Sequence, residues 1–264
     1  MDDSTEMSLP QPISNIILSL SIMAEKVNKG VLYLIPSPIS ESGNWEFDAA
    51  IVNALRACTA IVCERIRTTR RQIKYLFDQA DFDKIQFLEI EKKDEGRYVQ
   101  DALPILNNGN HVAIMSEAGM PCVADPGYRL VMAAHQNGII VKPFPGPSSF
   151  MQALMASGLN GQQFTFHGYL SRDKEELSRQ LGAISKSIKS TEMSQIFMET
   201  PYRNQKLYEQ ILRYSDGQTY LHISMDIGGD EETCLTKKVS DWKRSGFSFD
   251  KKLPAVFILG KIKY

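Results

Sequence analysis

The sequence predicts an α/β protein of two α/β domains, the first around a mainly parallel sheet and the second around a mixed one. Three observations carry this. Short apolar runs alternate with segments of helical periodicity through the first half of the chain. Many of those runs end in loops rich in Pro, Gly and Ala, as buried strands do. Late in the chain, strand-like runs follow one another closely, which breaks the strand–helix alternation. With 264 residues, 43% of them hydrophobic, the chain can fill two modest cores. A boundary near 145–160 gives an extension over 1–29, an N-terminal domain over 30–148 and a C-terminal domain over 149–264.

The elements follow in order. Val31–Ile35 is a short apolar run ending at Pro36, the mark of a buried strand. Phe47, Ala50, Ile51, Ala54, Leu55 and Cys58 recur at helical spacing. Ala60–Cys63 and Ile85–Ile90 are the next strands. Val99, Leu103 and Leu106 indicate a helix that Pro104 should kink or shorten. His111–Met115 is a strand, Tyr128–Gln136 a helix closed by Asn137-Gly138, and Ile139–Lys142 a strand. Pro147 opens a helix to Ser157, with Gly158 at its end. Strands then fall at Phe164–His167, Gln195–Met198, Tyr220–Ser224 and Ala255–Leu259. Helices at Lys174–Ile184 and Gln205–Arg213 lie among them.

Composition removes several functions. The net charge is -1, so no global basic excess draws the protein to nucleic acid, although a local patch can. The four cysteines, Cys58, Cys63, Cys122 and Cys234, form no C-x-x-C pair and read as small buried hydrophobes. His111, His135, His167 and His222 lack ligand spacing, so no metal is expected. Ile13–Met23 is interrupted by Ser and Asn and too short to span a bilayer, and acidic residues precede it where a signal peptide carries positive charge. The expectation is a cytoplasmic protein without a membrane association, and Met23 is an alternative start. No phosphate loop, G-x-G-x-x-G or G-x-S-x-G elbow occurs, which disfavours nucleotide-dependent kinases, NAD enzymes and serine hydrolases.

In open α/β sheets, ligands bind beyond the carboxyl ends of the strands. Five unusual loops begin there: Pro36-Ser37-Pro38, Glu64–Arg67, Ser116–Pro121, Pro143–Ser149 and Glu199–Arg203. Rigid loops of small residues suit a nucleoside-like ligand read through backbone groups. Alternatively, Pro and Gly there only mark turns.

At Ser116–Leu130, SEAGMPCVADPGYRL, and at Pro143–Ser149, PFPGPSS, the chain resembles the tetrapyrrole-methylase superfamily. It is similar in particular to the branch of the ribosomal RNA small-subunit methyltransferases that act on a cytidine 2′-hydroxyl. Leu34–Ile39, Ala156–Leu159 and Glu199–Arg203 extend the resemblance from Gly30 to Gly260. The resemblance implies a two-domain fold with S-adenosylmethionine in the interdomain cleft, and a homodimer. By position it implies cofactor contacts at Pro36, Glu117, Ala118, Gly119, Ser148, Ser149 and Met198. Glu117 either favours the cofactor's cationic groups or caps the amides of its own loop.

The acceptor side departs from that branch. Its Glu-Asp-Thr-Arg is Glu64-Arg65-Ile66-Arg67 here, a His/Asn-rich segment is Glu89–Lys93, and Glu-Leu-Thr-Lys is Asp226–Gly229. A ribose hydroxyl benefits from a general base, and Glu64 and Glu199 are the candidates, with Arg203 orienting the acceptor. Glu199 and Arg203 can instead pair with each other. Arg65, Arg67, Arg70, Arg71 and Lys74 form the dense basic segment, either a phosphate-contacting surface or the solvated face of a helix. The readings that follow are an RNA methyltransferase, a methyltransferase for a small molecule such as a tetrapyrrole precursor, and a non-catalytic cofactor-binding protein.

Overall fold

The computed structural model describes residues 29–40, 42, 45–91, 93, 94, 96–249 and 252–262. The expected extension over 1–29 lies outside them, Lys29 excepted. The chain divides into two units, one running through Ser37 and then over Phe47–Gly146, the other comprising Pro38–Glu46 and Pro147–Tyr264.

In the first unit, strands β1 (Val31–Ile35), β2 (Cys58–Cys63), β3 (Gln86–Glu89), β4 (His111–Met115) and β5 (Ile140–Pro143) alternate with helices α1 (Ala49–Ala57), α2 (Ile66–Ile73), α3 (Gln79–Phe82), α4 (Arg97–Asn107) and α5 (Tyr128–Gln136). The sheet has order β3-β2-β4-β1-β5, and every pairing is parallel. Leu32, Ala60, Val62, Val112 and Ile114 pack with Ala102 and Leu106 of α4 and Leu130 and Ala134 of α5. Helix α1 starts at Asp48, whose carboxylate accepts the Ile51 amide at 2.8 Å. Gly138, at φ +61, ends α5 as expected.

The second unit holds α6 (Ser149–Ser157), β6 (Phe164–Tyr169), α7 (Lys174–Thr191), β7 (Ser194–Glu199), α8 (Asn204–Tyr214), β8 (Tyr220–Met225), β9 (Thr233–Lys238), α9 (Val239–Ser245) and β10 (Ala255–Gly260). Its sheet runs β6-β7-β10-β8-β9, with β6 and β7 parallel and the rest antiparallel. Alternate residues of β7 and β10 serve two cores, as a period of two requires. Phe197 and Phe257 stack on one face at 5.9 Å, among Leu181, Ile184 and Trp242. Ile196 and Ile258 face Ala153 and Leu154 of α6 on the other. Pro38–Glu46 joins this unit through Ile39 in that second core, through Ser40 against Asp226 at 3.3 Å, and through Ser42 against the Asp230 amide at 3.1 Å.

Some expectations are corrected. Of the two effects expected of Pro104, a kink or a shortening, the second is not seen, since α4 continues to Asn107. Pro147 stands before Ser148, the residue preceding α6, so it precedes the helix rather than opening it. Helix α7 extends beyond Ile184 to Thr191, because Ile188 continues the stripe of Leu177, Leu181 and Ile184. Cys234 is exposed on β9, while burial pushes the Cys58 thiol up to about 12 and the Cys63 thiol to about 11. No helix among the described residues is long and apolar enough to cross a membrane.

Candidate active site

The site of the first unit follows from its strand order. Strands β1 and β4 are neighbours, yet the chain leaves β1 toward β2 and leaves β4 toward β5, on opposite sides. Right-handed crossovers then send the two connections to opposite faces, and a crevice opens between the carboxyl ends. The loops after β1 and β4 are tied together at that point. The Ser37 amide donates to the Gly119 carbonyl at 2.8 Å, and the Gly119 amide returns a bond to Ser37 at 3.0 Å. The buried Ser37 hydroxyl donates to the Ser116 carbonyl at 2.8 Å, and Ser116 Oγ donates to Gly119 at 2.9 Å. From α2, Gln72 Nε2 donates to the Glu117 carbonyl at 2.9 Å.

Glycine at 119 has a conformational reason, since its φ is +76 and both its polar backbone groups are bonded. Cys122 and Ala124 also have positive φ, at 66 and 63. Left-handed non-glycine residues cost free energy and concentrate at functional loops. The Pro143–Gly146 segment after β5 approaches from the other side of β1. A Cβ on Gly146 would stand 2.2 Å from Pro36 Cβ, so only glycine lets these loops meet.

The electrostatics of this edge are acidic. Burial, then the negative charges of Glu64 and Glu117, push the Asp125 carboxyl up to about 7. Arg65 Nε lies 3.6 Å from Glu117 Oε2, in an exposed pair that contributes little. The other oxygen, Glu117 Oε1, is buried with no hydrogen-bond partner. Pro36, Glu64, Glu117, Ala118 and Gly119 thus lie at the carboxyl ends of β1, β2 and β4 of one unit. Ser37, Gln72 and Asp125 belong with them and were not singled out from sequence. Asp125 lies inside the quoted motif, whereas Gln72 sits on a helix without a clear apolar stripe.

In the second unit, Ser148 is buried just ahead of α6. Ser149 Oγ donates to Met198 Sδ at 3.8 Å, which brings two expected cofactor contacts together. Glu199 ends β7 and is buried. Its Oε1 accepts the Thr200 amide at 2.7 Å and the Thr200 hydroxyl at 3.1 Å, while Oε2 lies 3.1 Å from Arg203 Nη2. Arg203 also donates to the Ser171 carbonyl at 3.2 Å. Glu199 and Arg203 therefore pair with each other, and the carboxylate's charge is already compensated.

The family model for the tetrapyrrole (corrin/porphyrin) methylases matches residues 49–242. The chain belongs to this family. The chain is 34% identical over 188 residues to the ribosomal RNA small subunit methyltransferase I of Halalkalibacterium halodurans, a match covering 71% of this chain and 61% of that one. The protein of the same name from Bacillus subtilis is 29% identical over 81% of this chain and 65% of its own. The one from Thermotoga maritima is 31% identical over 85% of this chain and 94% of its own. The chain thus spans less than two thirds of the length of the first two of these relatives. Among solved structures, it resembles the methyltransferase CobJ with a TM-score of 0.57, 15% identity and coverage of 88% of this chain and 94% of that one. It also resembles a uroporphyrin-III-C-methyltransferase from Thermus thermophilus, with a TM-score of 0.51, 17% identity and coverage of 89% and 96%. At these identities the two structures speak for the fold of the chain alone.

Proposed function

We propose that this methylase transfers the methyl group of S-adenosylmethionine to a ribose hydroxyl of small-subunit ribosomal RNA in the cytoplasm. The observation that carries the reading is the similarity to ribosomal RNA small subunit methyltransferase I, which reaches across 94% of the Thermotoga maritima protein. The first unit supports a nucleoside-like ligand. Its loops are pinned at the switch point, and Glu117 Oε1 is a buried oxygen without a hydrogen-bond partner, suited to a cationic group. Residues Pro36, Glu117, Ala118 and Gly119 of the first unit, and Ser148, Ser149 and Met198 of the second, would hold the cofactor.

Bound S-adenosylmethionine supplies an activated methyl on a sulfonium, and transfer is an in-line displacement governed by alignment. The protein's part is to fix the loops and to take the hydroxyl proton. Glu64 and Asp125 are the proposed proton-handling pair, because the Asp125 carboxyl, near 7, is matched to a base working at neutral pH. The pairing with Arg203 makes Glu199 a positioning residue for the Thr200–Arg203 turn instead.

A homodimer belongs to the same reading. Tyr128, Met132 and Ile140 of the first unit, and Met151 and Met155 of the second, are exposed apolar side chains of the kind a second copy covers. Calorimetric titration with S-adenosylmethionine tests the cofactor assignment. One saturable site per chain is expected, weakened about ten- to a hundredfold by Glu117→Gln, since a charge-assisted contact contributes roughly 1.5–3 kcal/mol. No binding by the unmodified protein overturns it.

A further inference from the structure

The second unit carries a cationic pocket between the start of α7 and the start of α8. Its polar lining is Arg172, Lys174, Arg203, Lys206 and Gln210, over a floor of Leu177 and Leu207, and no acidic side chain lines it. Arg203 is balanced by the buried Glu199 and held on Ser171, so it is fixed in place. Arg172, Lys174 and Lys206 are exposed and make no ion pair among the described residues. Of the neighbouring acids, Asp173 caps the Glu176 amide at 2.8 Å, Glu176 pairs with Arg179, Glu209 accepts from Gln205 at 2.9 Å, and Glu175 does not line the pocket. Three cations around one pocket, with no acid in its lining, favour a polyanion.

Beside it stands Tyr202, adjacent in the chain to Arg203 and 81% exposed, which is unusual for a large ring. Lys252 lies over this ring, 5.0 Å from its centroid. An exposed aromatic flanked by cations is the arrangement by which proteins hold single-stranded nucleic acid, with bases stacking on the ring and phosphates on the charges. The arginine-rich α2 is less suited. Arg65 faces Glu117 at 3.6 Å, and Arg70 lies over the Phe82 and Phe87 rings at 5.5 and 4.9 Å.

We infer that the pocket of Arg172, Lys174 and Lys206, with Tyr202, binds a single-stranded segment of the RNA acceptor, phosphates in the pocket and a base on the ring. This rests on the RNA reading above and adds a site to it. A strand held there is bound through backbone charge and stacking rather than base sequence.

The test measures binding of a labelled 20-nucleotide single-stranded fragment of small-subunit ribosomal RNA against salt, by fluorescence anisotropy. Each neutralised phosphate contributes a slope of about 0.7 for single strands, so Arg172→Ala with Lys206→Ala should reduce the slope by about 1.4. Tyr202→Ala should weaken binding about tenfold, and Tyr202→Phe should restore it to within about twofold, because the ring alone stacks. Melting temperature and S-adenosylmethionine affinity should stay at parental values in all three variants. Parental slopes and affinities in the variants, with the parent binding RNA, overturn this site while leaving RNA as the acceptor. A slope lost equally for heparin, with Tyr202→Ala unaltered, identifies a general polyanion patch and overturns the proposal. A parent that binds no RNA overturns both the acceptor and the site.

Discussion

Adding one methyl group at Gly146 should disable the cofactor edge of the first unit. The added Cβ would stand 2.2 Å from Pro36 Cβ and 2.3 Å from Pro36 Cγ. Carbon atoms at rest sit about 3.5–4.0 Å apart, so one loop must retreat by more than about 1.2 Å. A proline ring has no rotamer with which to escape, so the retreat falls on the backbone. Because Ser37 follows Pro36 and exchanges both hydrogen bonds with Gly119, the Ser116–Gly119 loop must move too. Overpacking of this kind costs about 1–3 kcal/mol. For a chain of this size that lowers the melting temperature by about 4–8 °C at the middle of the range. Gly146→Ala should therefore melt several degrees early and bind S-adenosylmethionine at least about tenfold more weakly by calorimetry. Gly161→Ala, where an added Cβ meets nothing within 4 Å, is the matched control and should change neither. Parental melting and parental affinity for Gly146→Ala would refute the idea that contact between these loops shapes the site.

Gly182 lies inside α7, exposed and with nothing within 4 Å of an added Cβ, so Gly182→Ala should stabilise the protein by about 0.5–1 kcal/mol in urea melts. Asp125 should make stability fall with rising pH. Folding raises its carboxyl from 3.8 to about 7, so its contribution is complete below about pH 4 and lost as pH climbs through 7. That shift corresponds to at most about 4 kcal/mol, and partial solvent access reduces the expected effect to about 1–2 kcal/mol. Asp125→Asn should accordingly melt higher than the parent at pH 8 and nearly with it at pH 4; a difference independent of pH would contradict this. Sedimentation at micromolar concentration should show a dimer, and a Met155→Glu, Ile140→Glu variant should shift it toward monomer.

What the sequence made legible follows from how local each signal is. β1, β2, β4 and β10 are five- or six-residue apolar runs whose burial both identifies them and holds them in the sheet. β9, TCLTKK, is an edge strand with half-exposed residues, and its polar composition hid it. α2, IRTTRRQI, buries only Thr69 and Ile73, too few to mark a helical stripe. α9 presents in its seven residues a single buried turn around Val239 and Trp242, too little to mark a helical stripe. In the site, Pro36 and Gly119 announce themselves through backbone chemistry that any sequence displays. The contacts between Ser37 and Ser116, and between Gln72 and Glu117, join residues 79 and 45 positions apart and exist only once the strand order is set. The raised carboxyl of Asp125 likewise depends on burial first and then on Glu64 and Glu117, which arrive from the ends of two different strands. The packing of Pro38–Glu46 with the second unit has the same origin, in Asp226 and Asp230, far along the chain.

Methyl transfer itself is the central claim, and label transfer from S-adenosylmethionine tests it most directly. The protein is incubated with the methyl-labelled cofactor and either small-subunit ribosomal RNA or a small-molecule cell extract, and the RNA is then digested to nucleosides for mass spectrometry. The account predicts label in the RNA, on a ribose 2′-oxygen, in amounts stoichiometric with one site and diminished by Asp125→Asn and Glu64→Gln. Label confined to the small-molecule fraction would contradict RNA as the acceptor, and label in neither would contradict the assignment of the protein as a methyltransferase.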